Sequence, residues 1–253
     1  MKYYFLVTYL PDIQRDDKKI KLRFADLLAE QYYIAPEDWQ QIELVLLARD
    51  ILLLEKLLAG KDTDVEHTVY DKEFWKEQVK APKEVPGFLE EFLQRLAEER
   101  TFGPEEVNRL HEIYYDHVIS TTRNPFLKDY FDFEKLLRNV LAAIRARRKG
   151  LPPSDHILGT GEIAEQLGRA SAEDFGLGQD IPWIEGLAET KDPLQLEDLI
   201  EQILWDYLDE QTTQVYFDFE VILAYLLKLQ LLEKRLALSE ERGMEIVRHL
   251  EGV

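Results

Sequence analysis

Phe217–Leu238 reads FDFEVILAYLLKLQLLEKRLAL, the longest uninterrupted apolar-periodic stretch in the chain. Val221, Ile222, Tyr225, Leu226, Leu229, Leu232 and Leu236 recur at helical spacing. Leu223, Leu227 and Leu231 widen the stripe beyond that of a surface helix, so the spacing predicts a helix packed on more than one side. Its opening, FDFE, occurs earlier at Phe131–Glu134 and leads into KLLRNVLAAIRARRKG. A third related segment, Leu44–Lys61, carries LEKLLA where Leu232–Ala237 has LEKRLA. Each is an apolar helix ending in a charged turn that bears Lys or Arg.

The rest of the chain fits this helical theme. An apolar fraction of 45% and a charged fraction of 32% belong to a folded chain, and 253 residues suffice for a sizeable core. Leu, Glu, Ala, Lys and Arg dominate, while Val and Thr are sparse, which favours helix over sheet. Tyr3–Leu10 is β-prone by composition but could equally open a buried helix. Pro36 with Glu37 and Asp38 marks a helix start, and Gly60 marks that helix's end. Further helices are expected over 20–29, 71–79, 87–100, 104–120, 127–149 and 193–213. Ser154–Gly186 reads as one or two short helices held by loops. Ser239, followed by two Glu, reads as the cap of a separate final helix over 239–250. Gly150, Leu151, Pro152 and Pro153 form the clearest boundary, dividing the chain into 1–150 and 151–253.

Charge and composition restrict the function classes. A net charge of −19 repels nucleic-acid backbones, and no Lys/Arg stripe large enough to override it is present. With no cysteine, disulfides, thiolate nucleophiles and Cys-ligated metals are excluded. No run reaches the ~18 apolar residues that span a bilayer. MKYYFLVTYLPD reads as a structural element rather than a signal peptide.

Catalytic patterns are incomplete. His111-Glu112-Ile113-Tyr114-Tyr115 begins like the zinc-protease HExxH helix, but Tyr115 replaces the second imidazole. No Glu-x-x-His pair is present for a di-metal bundle. The pairs Gly159/Gly161 and Gly176/Gly178 lack the third glycine and the preceding strand of a dinucleotide site, and no P-loop occurs. We therefore expect no catalytic residues, no cofactor and no bound metal. An enzyme would be indicated by a cleft where acidic residues meet His111, His117 or His156. The feature that stands out is Arg145-Ala146-Arg147-Arg148-Lys149, four cations in five residues of an acidic chain. A helix C-terminus attracts cations through its dipole, and Arg is suited to bidentate carboxylate pairing. Arg145, Arg147, Arg148 and Lys149 are the candidate interface residues.

These segments also carry a family resemblance. Glu134–Gly150, EKLLRNVLAAIRARRKG, resembles the C-type (also called d-type) subunit of V-type and archaeal-type ATPases. That family carries N-x-x-x-x-hydrophobic-R-A-R/K and then Gly, matched here by Asn139, Ile144, Arg145, Ala146, Arg147 and Gly150. Phe219–Leu238 resembles the family's C-terminal helix through Ala224-Tyr225-Leu226, without the usual Gly/Pro in front. Tyr3–Asp12, YYFLVTYLPD, resembles a bacterial family of unassigned function that accompanies V-type ATPase genes. The resemblance implies an all-α fold of three pseudo-repeated helical subdomains in a funnel- or V-shaped bundle. It further implies a non-catalytic coupling subunit that links the central-stalk subunits to the membrane rotor ring. Such a subunit is cytoplasmic and peripheral to the membrane, without inserting into it. The alternative is a soluble helical adaptor with another partner. A coupling role predicts that the Arg145–Lys149 cations face a cavity, and an adaptor that they merely cap a helix.

Overall fold

In the computed structural model, residues 2–99 and 101–251 are described, apart from the side chains of 240–251. Among these residues the chain is all-α: eleven helices and three short 3-10 turns, with no strand. The helices are α1 (Tyr4–Tyr9), α2 (Phe24–Ala29), α3 (Pro36–Leu58), α4 (Lys72–Lys80), α5 (Glu90–Glu99) and α6 (Pro104–Thr121). They continue with α7 (Pro125–Arg148), α8 (Glu162–Arg169), α9 (Trp183–Glu189), α10 (Pro193–Thr212) and α11 (Phe219–Glu251). The three related segments become α3, α7 and α11. The chain forms two compact units, one of residues 1–39 with 197–253, the other of 40–196. Gly150–Pro153 lies inside the second unit.

The first unit is built on α11. Phe219, Ile222, Leu223, Leu226, Leu229 and Leu232 are buried, as the wide apolar stripe requires. The N-terminal residues are fixed on this helix's entry. The Tyr3 amide donates to the Phe217 carbonyl at 2.6 Å, and the Tyr3 ring lies 5.7 Å from that of Phe219. The Tyr3 hydroxyl donates to Asp38 and accepts from the Ala35 amide at 3.1 Å. This decides the stretch as helix over Tyr4–Tyr9, capped by Tyr3 and Leu10: Tyr3 and Leu6 are buried, three residues apart, whereas Tyr4, Phe5 and Tyr9 are exposed.

The expected break before Ser239 is absent. α11 continues through it, and the Ser239 hydroxyl donates to the Arg235 carbonyl four residues back, at 2.9 Å. A serine inside a helix satisfies itself in this way and does not cap a new one. Residues 240–250 of the expected final helix continue α11.

In the second unit, α7 packs against α6, α8, α9 and the 3-10 turn at 153–156. Its face carries Leu127, Phe131, Leu137, Val140 and Ile144, all buried. Two polar clamps tie irregular segments to the helices. Asn139 accepts from the Leu158 amide at 2.8 Å and donates to the Leu158 carbonyl at 3.0 Å. Asp50 of α3, fully buried, accepts from the Val69 and Tyr70 amides and from the Trp75 indole at 2.7, 3.0 and 2.8 Å. α3 and α7 end alike. Gly60 (φ 73°) and Gly150 (φ 69°) take the left-handed conformation after the last turn, and the next amide reaches back five residues: Lys61 to Lys56 at 2.8 Å, Leu151 to Ala146 at 2.9 Å.

Candidate functional site

The C-terminal turn of α7 separates its four cations into two pairs. Arg145 and Lys149 are exposed, and among the described residues no bond or ion pair engages either side chain. Arg147 and Arg148 are turned onto the ends of the two short helices that follow. Arg147 donates to the carbonyls of Ala170 and Ala172 after α8, and its guanidinium carbon lies 3.5 Å from the centroid of the buried Phe175 ring. Arg148 donates through Nη2 to the carbonyls of Leu187, Ala188 and Thr190 at 3.3, 2.9 and 2.7 Å. Carbonyls at a helix C-terminus have no partner within the helix and carry the negative end of its dipole. Two neighbouring arginines thus cap two helices other than their own.

The same residues line a cavity of about 480 Å³, bounded by Ile144, Arg147, Arg148, Glu173, Phe175, Ala188, Glu189 and Lys191. Its apolar part is Ile144, Phe175 and Ala188; its charged part is three cations and two carboxylates. Burial pushes the Arg147 guanidinium below the ordinary arginine value. Arg147 and Arg148 thus meet carbonyls after α8 and at the end of α9 instead of those of their own helix, and line the cavity, whereas Arg145 and Lys149 do neither. The sequence pattern draws attention to this turn of α7 by its charge. It could not single out Phe175, Glu173, Glu189 or Lys191, which come from separate short segments.

The three candidate histidines occupy other settings. His111 of α6 lies 3.1 Å from the Glu55 carboxylate of α3. Burial, and then the nearby Arg138 guanidinium, hold its imidazole below the ordinary value, against the pull of Glu55. Arg138 donates to Asn108 at 3.2 Å through Nη2, while its Nη1 and the Tyr114 hydroxyl are buried without a protein partner. Beside them Glu134 accepts from the Tyr130 hydroxyl at 3.3 Å, and burial pushes its carboxyl up to about 7 despite the hydrogen bonds of Tyr130 and Tyr115. Glu134 stands at helical spacing between Phe131 and Leu137 on the buried face of α7, a signal legible in the sequence. His117 stacks on Phe88, centroids 3.9 Å apart, at a cavity of about 640 Å³. His156 shares a cavity of about 500 Å³ with Glu105, Glu106 and Asp155, a meeting of histidine and carboxylates of the kind that would indicate an enzyme, although Glu106 there is paired to Arg95 at 2.5 Å.

In the HExxH-like stretch, Tyr115 is buried, and Glu112 pairs with Arg109 at 2.6 Å and accepts from the Gly159 amide at 3.2 Å. Among the described residues, no group of three or more His, Asp or Glu is arranged to hold a metal ion. None of the described helices is long and apolar enough to cross a membrane.

An uncharacterized protein of Chlamydia pneumoniae, CPj0087/CpB0087, is 28% identical over 137 residues, 52% of this chain and 52% of that protein. The chain thus matches about half the length of this curated relative. A family described as "Protein of unknown function (DUF2764)" matches residues 1–252. With nearly its whole length matched, the chain belongs to the DUF2764 family.

Proposed function

We propose that the chain is a non-catalytic coupling subunit of a V-type ATPase, joining central-stalk subunits to the membrane rotor ring. One observation carries this reading: the two segments with the strongest resemblance to the ATPase's C/d component form the two longest helices, α7 of 24 residues and α11 of 33, one at the centre of each compact unit. A part that transmits torque needs stiff helices with tightly packed cores. It also needs polar surfaces for contacts that assemble and disassemble. The Arg147–Arg148 cavity supplies one such surface. The subunit acts at the cytoplasmic face, held to the membrane through the ring.

A second reading is a helical adaptor with a different partner. The observation that favours it is the engagement of Arg147 and Arg148 with backbone carbonyls, which gives those residues a structural role whatever the partner.

Affinity purification of the tagged protein from its own cells, in mild detergent, tests the proposal. We expect rotor-ring and central-stalk subunits in stoichiometric amounts. Recovery of the chain without them, from cells that contain the ATPase, overturns the coupling reading in favour of the adaptor.

A further inference from the structure

We propose that the cavity at the end of α7 binds a single carboxylate side chain of a partner protein, together with an apolar side chain beside it. This rests on the reading of the chain as a docking part, whichever the partner.

Charge is the first ground. In a chain with 50 acidic and 31 basic residues, cations readily find carboxylates. Arg15, Lys72, Arg95, Lys135, Lys228 and Arg235 all do. Around this cavity they do not: among the described residues, Arg147, Arg148 and Lys191 make no ion pair. Arg147 and Arg148 donate to carbonyls, which satisfy hydrogen bonds but do not neutralise charge. Glu173 and Glu189 line the same space, so three cations stand against two carboxylates and one positive charge is left over. One carboxylate restores neutrality. A phosphate dianion would overshoot it and meet both glutamates.

Shape and chemistry are the second ground. Arg148 spends Nη2 on three carbonyls, and among the described residues no bond engages its Nη1 or Nε. Both forked edges of the guanidinium include the occupied Nη2, so Nη1 is left to donate a single charge-assisted hydrogen bond to a carboxylate oxygen. Lys191 is exposed at the rim and forms no bond among the described residues, so it can act as the second cation. Ile144, Phe175 and Ala188 provide an apolar wall for the neighbouring side chain. About 480 Å³ is within the range of small-ligand sites and holds a few side chains, not a whole helix. Arg147, already held by two carbonyls and the Phe175 ring, positions Phe175 and does not contact the ligand.

The test uses the full chain and the blocked peptide acetyl-Leu-Glu-Phe-Leu-amide, followed by the arginine Nε–Hε signals in NMR and by calorimetry. Signals are assigned with R147K and R148K. We expect a saturable shift at Arg148. A solvent-exposed ion pair corresponds to about two- to fivefold in affinity. We therefore expect about that loss when Gln replaces Glu in the peptide, and again in K191E protein. Because Lys191 makes no bond among the described residues, K191E should keep the wild-type circular dichroism and melting temperature. Equal binding of the Glu and Gln peptides, wild-type affinity in K191E, or no shift at millimolar peptide overturns the proposal. So does inorganic phosphate that displaces the peptide at equal concentration, which would mark a small-anion site. Peptide binding addresses the cavity alone and co-purification addresses the partner, so either can fail without the other.

Discussion

Asp50 is held in the core of the second unit by three N–H donors. Burial raises its carboxyl against the pull of those donors, so its role is to accept bonds from the 62–71 connector and α4. Asp50→Ala leaves two amides and an indole buried without acceptors, and we expect a loss of about 3 kcal/mol or more in urea unfolding. Asp50→Asn removes at least one acceptor and should cost less. Glu134 poses a different question, because burial lifts its carboxyl from 4.5 to about 7. A group whose folded value is raised contributes stability that is fully present below the unfolded value, near 4.5, and lost as pH rises through about 7. Wild type should therefore lose on the order of 2 kcal/mol relative to Glu134→Gln between pH 5 and pH 8. His111 has the opposite sign. Its folded value is depressed, so its contribution is present above the ordinary 6.5 and lost as pH falls below it. Unfolding curves of wild type, E134Q and H111N across that range separate the two. A wild-type slope retained in E134Q would show that Glu134 is ionised throughout.

At the scale of elements, α7 is the part on which the second unit depends. Its Asn139 clamps the 153–161 segment by two reciprocal bonds, and its Arg148 closes the end of α9. Asn139→Leu fills the space but strands the Leu158 amide and carbonyl, so we expect about 2 kcal/mol of destabilisation. Arg148→Ala frees three carbonyls at the more exposed end of α9. Hydrogen exchange should quicken in 183–190 and stay unchanged in α3 and α6. The helices themselves are legible from spacing, caps and glycines, because these signals act within one turn of chain. Asn139 falls within the resemblance but has its partner nineteen residues away. The continuation of α11 past Ser239 escapes such a reading for the converse reason: a local capping signal is outweighed by a helix already propagating, to which each further residue adds a hydrogen bond at little cost.

At the scale of the molecule, the first unit joins the two ends of the chain. Residues 1–39 pack with 197–253, and Tyr3 is fixed by the Phe217 carbonyl, the Phe219 ring and Asp38. Removal of residues 1–10 uncovers the start of α11. We expect amide protection to fall in 217–230 with little change in 104–148. Equal loss in both would show that the two units unfold as one.

The sequence by itself determined the helical class, the main helix positions and the cationic turn of α7, because periodicity, caps and charge are properties of neighbouring residues. Tertiary structure alone decided that Tyr4–Tyr9 is a helix, that the chain divides at 39/40 and 196/197, and that Arg147 and Arg148 meet Phe175, Glu173, Glu189 and Lys191 around one cavity. Those outcomes depend on which distant surfaces bury one another, and burial is a sum over the whole fold that no short window of sequence contains.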